Sequence, residues 1–323
     1  MVDQRYEVRN TMHRSTQKKH SLSRLTLGTV QLGMPYGVAN TSGQPDSRRA
    51  VAIIAAALEG GIHCFDTASA YGSSEEVLGY ALRELNALDD AVIVTKVRHL
   101  AKAELADPAR AGHAIEESVD TSRRRLGLDC IPYVLFHREA DAGYVDVLES
   151  LRRRGWIGQV GVSLANTPSA PVQIDERFTA VQTPGNLLDR WPRSPDIEAS
   201  LMRPERAVFL RSVFLQGLLV MPLDAVPPHL AAVLPVRKRL AAIAAQAGIT
   251  EAALALRYSL SIKCADTVLI GVETPEQLSE NIRIAESGPL DAEVLSAIDQ
   301  AVTDVPNALC TPSVWPALAR NRE

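Results

Sequence analysis

Residues 62–79 read IHCFDTASAYGSSEEVLG. A short apolar run ends in Asp66, a turn of small residues carries Tyr71, and EEVLGYALRELNAL behind it has a helical pattern. Two later runs end in the same way. AVIVTKV (91–97) carries Lys96 at its end, and IPYVLFH (131–137) finishes on His137. A carboxylate, a phenol, an amine and an imidazole therefore stand just past successive predicted strands.

That combination suits proton transfer. A phenol is a poor acid near neutral pH, its reference pKa being about 10. A nearby ammonium favours the phenolate and makes the phenol a better acid. An aspartate would hold that ammonium charged and in place. Together they build a general acid for a carbonyl oxygen.

Outward from this stretch, short apolar runs alternate with helical ones. SRRAVAIIAAALEGG reads as a helix, with Asp46 as N-cap and Gly60-Gly61 as its stop. ARAGHAIEESVDTSRRRLG, AGYVDVLESLRRRG, RKRLAAIAAQAG with TEAALALRYSLS, and PEQLSENIRIAES follow as helices. The strand candidates are 62–68, 91–97, 131–137, 157–164, 178–184, 207–214 and 267–272, with LTLGTV as the eighth or as a preceding cap. They are short, continuous and rich in Val, Ile and Leu, as in parallel strands buried on both faces. A doubly wound sheet would carry a G-x-G-x-x-G turn after its first strand, and none is present. A closed barrel puts its chemistry at the C-terminal ends of several strands, which is where Asp66, Lys96 and His137 fall. The expected fold is a (β/α)8 TIM barrel over residues 23–323. An extra C-terminal helix (291–304) and a tail anchored by Trp315 close over it.

The chain has 323 residues, 46 % of them apolar, a formal charge of −4 and a pI near 6.0. Nothing in that balance points to nucleic acid, and no apolar run reaches the ~20 residues needed to span a bilayer. Cys64, Cys130, Cys264 and Cys310 are scattered, with no CxxC pair and no metal spacing. They read as reduced thiols of a cytoplasmic protein, with Cys64 and Cys130 buried beside apolar runs. Residues 1–22 are polar, basic and almost free of apolar residues; they read as a disordered leader, or as an arm for a protein partner.

DTASAYG followed by EEVLG, Lys96 and His137 resembles the aldo-keto reductases. LGTVQLG, GVSLAN, VQTPGNLL, RSVFLQGLL and LIGVETPEQLSENI occur in that family's order, so the resemblance spans about residues 24–290. It implies a barrel that binds an extended nicotinamide dinucleotide without a Rossmann domain, and carbonyl–alcohol interconversion by hydride transfer. By the same resemblance Tyr71 is the general acid, Lys96 lowers its pKa, Asp66 pairs with Lys96, and His137 orients the carbonyl.

The resemblance also assigns the cofactor. Gly28, Thr29, Val30 and Gly271 would lie along it. Ser163, Gln182 and, less firmly, Asn166 would hold the nicotinamide carboxamide, because GVSLAN separates its Ser and Asn by two residues where many members have them adjacent. Asn186 is expected to brace its loop. Arg211 stands where other members often have a tyrosine stacked on the nicotinamide, and a planar guanidinium can also stack. Ser212, Leu215 and Gln216 would line the pyrophosphate, with Gly217 allowing close backbone approach. Gln277, Glu280 and Asn281 would meet the adenosine end. Glu273 occupies the site where many members grip the NADP 2′-phosphate with a cation. A carboxylate repels that phosphate and can accept from a ribose hydroxyl, which predicts NAD(H) rather than NADP(H); the alternative is that Glu273 is an exposed residue at the start of its helix.

The substrate loops are MPYGVANTSGQPD, VRHLAKAELADP and the proline-rich VMPLDAVPPHLAAVLP, the last a candidate lid. Tyr36, His99 and Trp191 are the candidate contacts. The loops carry no dense basic cluster for a phosphorylated substrate, and the chain leans towards members found with sugar metabolism. A small aldehyde, ketone or aldose is the expected substrate. The competing reading is an NAD(H)-binding regulator that acts on a protein partner with weak or no turnover; a ligand-free structural barrel would leave the ordered polar positions unexplained.

Overall fold

In a computed structural model, residues 22–165, 174–303 and 305–315 are described. Eight parallel strands close into a barrel in chain order. They are β1 (Leu25–Gly28), β2 (Cys64–Asp66), β3 (Val92–Val97), β4 (Ile131–Phe136), β5 (Ile157–Ser163), β6 (Ala180–Pro184), β7 (Ala207–Arg211) and β8 (Thr267–Gly271). LTLGTV supplies β1 and is the seam: Thr26 pairs with Cys64 on one side, and Leu27 pairs with Ile270 on the other. β7 stops at Arg211 instead of running on to 214, because Ser212 takes a left-handed φ of 67° that a strand cannot continue.

The helices form where the periodicity predicts. Ser47–Glu59 starts at Asp46, whose side chain accepts from the Arg49 amide at 2.8 Å, and it stops at Gly60. Pro108–Leu126 ends on Gly127 in the left-handed region. Leu234–Gln246 and Glu251–Leu260 precede β8, and Pro275–Glu286 follows it. The expected C-terminal helix is Ala292–Ala301. It meets the loop after β6, where Arg190 and Arg193 each donate to Asp299 at 2.9 Å. Trp315 half-buries its ring and donates to the Ala308 carbonyl at 2.8 Å.

Successive side chains of a strand point to opposite faces. The outward set, including Leu27, Phe65, Ile93, Val162, Leu210 and Ile270, joins the helices in one continuous core. The inward set forms a separate plug of Cys64, Val92, Val94, Tyr133, Leu135, Ala180, Ala207, Phe209 and Leu269. Leu22, at the edge of the expected leader, packs against that plug. Residues 1–21 lie outside the described residues. Cys64, Cys264 and Cys310 are buried, whereas Cys130 is exposed. It lies in the turn before β4, one residue short of the buried run. Among the described residues no single helix is long and apolar enough to cross a membrane.

The interior is too narrow for a side chain at every inward position. A Cβ at Gly161 would meet the Ala180 backbone and lie 2.9 Å from both Ala180 Cβ and Leu135 Cγ. Gly161→Ala is therefore expected to cost about 1–3 kcal/mol through overpacking, seen as a lower midpoint in urea unfolding; an unchanged midpoint would mean that the interior yields.

Candidate active site

The alternation that fills the barrel also sets its rim. Carried one position beyond the plug, the inward-facing residues at the C-terminal ends of the strands are Gly28, Asp66, Lys96, His137, Ser163, Gln182, Arg211 and Gly271. Each strand contributes one. The two glycines are register neighbours across the β1–β8 seam, so that arc of the rim carries no strand side chain of its own, and the other arc is polar.

Lys96 is fully buried and spends all three ammonium protons. They go to Asp66 Oδ1 at 2.7 Å, Asp66 Oδ2 at 2.8 Å and the Thr67 carbonyl at 2.9 Å. Gln182 donates from across the barrel to Asp66 Oδ1 at 2.7 Å, which uses one of its two amide N–H donors and leaves its carbonyl. Burial pulls Lys96 below the usual ammonium range, and Asp66 opposes it.

Tyr71 is held beside this pair by its turn. Its amide donates to the Ala68 carbonyl at 3.0 Å. Gly33 packs on it so closely that a Cβ there would collide with the Tyr71 carbonyl. Lys96 Nζ lies 5.1 Å from the Tyr71 ring centroid. The expected lowering of the phenol pKa by Lys96 does not appear. Burial, and then Asp66, push Tyr71 above its ordinary value, and the cation that pulls the other way is Arg211. Burial is the first cause, because a phenolate out of water is disfavoured, and the Asp66 carboxylate adds to it.

His137 meets Tyr71 edge-on at 5.7 Å between centroids and His99 at 4.8 Å. Burial, reinforced by Lys96, His99, Arg211 and Arg138, pushes His137 down to about 3. It is a neutral imidazole at any ordinary pH. Its Nδ1 is buried with no hydrogen-bond partner among the described residues, as is Gln31 Oε1. Gln31 is a residue that sequence reading missed. It sits in LGTVQLG, and its side chain fills the space a Cβ at Gly271 would need.

Beyond β7 the backbone is strained. Ser212, Leu215, Gln216 and Gly217 all have positive φ, three of them non-glycine. Such conformations persist where the surroundings over-determine them, and they cluster at ligand clamps. Here Asn186 braces the loop by donating to the Ser212 carbonyl at 3.1 Å, as expected. The loop after β1 lies against it. Ala39 donates to the Gln216 carbonyl at 3.4 Å, Gln216 Nε2 to Tyr36 Oη at 3.3 Å, and Ser42 Oγ to Glu273 Oε2 at 3.1 Å. Ser42 is the second residue that sequence reading missed; a lone Ser in a polar loop gives no signal.

Thr274 caps Pro275–Glu286, and the Gln277 side chain turns back to accept from the Glu273 amide at 2.7 Å. Asn281 is buried on this helix and Glu280 exposed. Thr29 donates to the Asp66 carbonyl at 2.9 Å, and Val30 opens a short helical turn. The proline-rich segment is anchored by buried Arg237, which donates to the Met221 carbonyl at 2.6 Å and to Glu251 at 2.7 Å. Of the three substrate candidates, Tyr36 and His99 join the cluster. Trp191 packs against the main core with its Nε1 buried and without a hydrogen-bond partner among the described residues, and its turn sets Pro192 against Cys264 and Arg193 against Tyr258 and Asp299. Asn166 lies outside the described residues.

The sequence matches the model of the aldo/keto reductase family over residues 24–303. It is 26 % identical over 297 residues to an uncharacterised oxidoreductase of Bacillus subtilis, covering 84 % of this chain and 94 % of that protein. It is 26 % identical over 285 residues to a putative voltage-gated potassium channel β subunit of Schizosaccharomyces pombe, covering 76 % of this chain and 82 % of that one. The holo form of an aldo-keto reductase from Bacillus halodurans superposes with a TM-score of 0.69 at 24 % identity, covering 88 % and 93 % of the two chains.

Removing one partner of a buried ion pair leaves an uncompensated charge. Lys96→Met is expected to lower unfolding free energy by about 3–5 kcal/mol, and the double variant Asp66→Asn/Lys96→Met to recover much of that loss. Urea unfolding of the four proteins measures the coupling; additive losses would mean that the pair is not energetically joined.

Proposed function

The chain belongs to the aldo/keto reductase family, and on that premise we propose that it is a nicotinamide-dependent oxidoreductase that reduces a small aldehyde, ketone or aldose to the alcohol, or runs the reverse. The observation that carries this reading is the meeting of Tyr71 with Lys96, Asp66 and His137 at the barrel rim.

A nicotinamide dinucleotide, when bound, supplies or accepts the hydride. The rim fits such a group. Gly28 and Gly271 put no side chain of their own on the seam side, His137 Nδ1 and Gln31 Oε1 are buried without hydrogen-bond partners among the described residues, and the loop after β7 has a left-handed backbone. In this reading Ser163 and the free carbonyl of Gln182 hold the carboxamide. Arg211 lies against the nicotinamide ring, and Ser212, Leu215, Gln216 and Gly217 line the pyrophosphate. Gly28, Thr29, Val30 and Gly271 form the floor. Glu273, Gln277, Glu280 and Asn281 meet the adenosine end.

Tyr71 gives its proton to the carbonyl oxygen as negative charge builds there, and recovers it in the oxidation direction. His137 is neutral and has one N–H to aim at the same oxygen, so the developing charge meets two donors. Lys96, fixed by three hydrogen bonds, contributes charge rather than a proton. Because the phenol lies above its ordinary value, it stays protonated through neutral pH. Reduction should therefore be flat with pH until the phenol ionises, and oxidation, which needs the phenolate, should climb with pH.

Glu273 supports a preference for NAD(H). Its carboxylate is held by Ser42 at 3.1 Å, where a 2′-phosphate would meet repulsion. A second reading, a cofactor-binding regulator with little turnover, is supported by the channel β subunit among the relatives. Tight NADH binding without turnover of any carbonyl would favour it.

Tyr71→Phe is expected to lower turnover by about 10³-fold with NADH affinity little changed, in a screen of aldehydes and sugars followed by absorbance; turnover near wild type would remove Tyr71 from the role of acid. Dissociation constants measured by fluorescence should favour NADH over NADPH by about tenfold, with Glu273→Gln narrowing the gap. Tighter NADPH binding would overturn the repulsion argument.

A further inference from the structure

Three cations act on His137: Lys96, Arg211 and Arg138. Two of them are neutralised. Lys96 holds Asp66 at 2.7 Å, and Arg138 holds Asp141 at 3.0 Å. Arg211 has no carboxylate within ion-pair reach among the described residues; its contacts are the Leu164 carbonyl at 2.8 Å and Ser212 Oγ at 3.1 Å. Residues 166–173, which follow that end of β5, contain no acidic side chain.

The placement of Arg211 is fixed by the strand. It shares the inward parity of Ala207 and Phe209, both in the interior plug. It pairs in register with Pro184, and its side chain crosses the end of β6 to reach Leu164 at the end of β5. The guanidinium therefore lies over the rim and is only partly buried. Two of its five N–H donors are used, one on each terminal nitrogen, and three remain in the plane. Its flat face stays available to a ring while its edge offers hydrogen bonds.

We propose that Arg211 is the receptor for a carboxylate carried by the substrate beside its carbonyl, so that the preferred substrates are short oxo acids and the hydroxy acids they become. This rests on the oxidoreductase reading above. A planar carboxylate matches the in-plane edge of one guanidinium. A phosphate dianion would call for a second free cation, and the other two cations around His137 are already paired. In reduction the carbonyl carbon takes a hydride from the dinucleotide, which is oxidised. The C=O π pair moves onto oxygen, and that oxygen takes the Tyr71 proton. The carboxylate is unchanged and only positions the carbonyl between Tyr71 and His137.

The test uses the full-length protein with NADH. Glyoxylate is compared with its amide, with acetaldehyde and with glycolaldehyde phosphate. Wild type is expected to favour glyoxylate over the amide by at least about tenfold in kcat/KM, chiefly through KM. Arg211→Gln should reduce that preference by about 10- to 100-fold, and Arg211→Lys should restore part of it. Independently of turnover, calorimetry on the NADH-saturated protein should show oxamate binding about tenfold or more tighter than oxamide, a difference lost in Arg211→Gln. An unchanged glyoxylate-to-amide ratio in Arg211→Gln would overturn the proposal, as would a preference for the phosphorylated aldehyde. So would weakened NADH binding with the oxamate-to-oxamide ratio intact, which would give Arg211 to the cofactor alone. If no carbonyl is reduced but oxamate binding still depends on Arg211, the receptor stands and the oxidoreductase reading falls.

Discussion

An ammonium with no water around it must find three acceptors, and Lys96 finds them in Asp66 and the Thr67 carbonyl. Burying a charge without such partners is costly, and even a paired charge gains little net stability over an apolar core. The arrangement therefore acts as a positional constraint more than as a source of stability. It fixes the end of β2 against the end of β3. Through Gln182, which also donates to Asp66, it ties both to β6 on the far side of the barrel. The geometry of the whole rim follows from that tie.

The rim is asymmetric for a simple steric reason. Two of its eight inward positions are glycine, and these are adjacent across the seam that closes the sheet. No strand side chain stands there, and Gln31 lies over Gly271, while charged and hydrogen-bonding groups gather on the opposite arc. The strained loop after β7 and the loop after β1 touch each other through Tyr36, Ala39, Gln216 and Gly217. The polar arc holds a neutral imidazole, a phenol that resists ionisation and a guanidinium with no carboxylate in ion-pair reach among the described residues.

Much of this was legible along the chain. Strands 131–137 and 157–164 were marked by short runs rich in Val, Ile and Leu and emerged within one residue. The helix start at Asp46 and its stop at Gly60 were marked by cap chemistry. Asp66, Lys96 and His137 were marked by their positions at strand ends, and alternation then decides that they face one another. What failed to read out depended on distant neighbours. Cys130 borders an apolar run but falls in the turn before it. Gln31 and Ser42 matter because of Gly271 and Glu273, which lie more than two hundred residues away in sequence. LTLGTV could not be assigned as a strand or a cap until both of its partners were known.

The sequence by itself determined the alternation of strand and helix, the side chain at each strand end and the side of the strand it faces. These are set by interactions among neighbouring residues and by the two-residue period of an extended chain. Only the tertiary structure decided which charges are paired. Lys96 meets a carboxylate 30 positions away, Asp66 an amide 116 positions away, and Arg211 no carboxylate among the described residues. Coulomb and hydrogen-bond energies depend on distance and desolvation in space, and a barrel brings its strand ends together from every part of the chain.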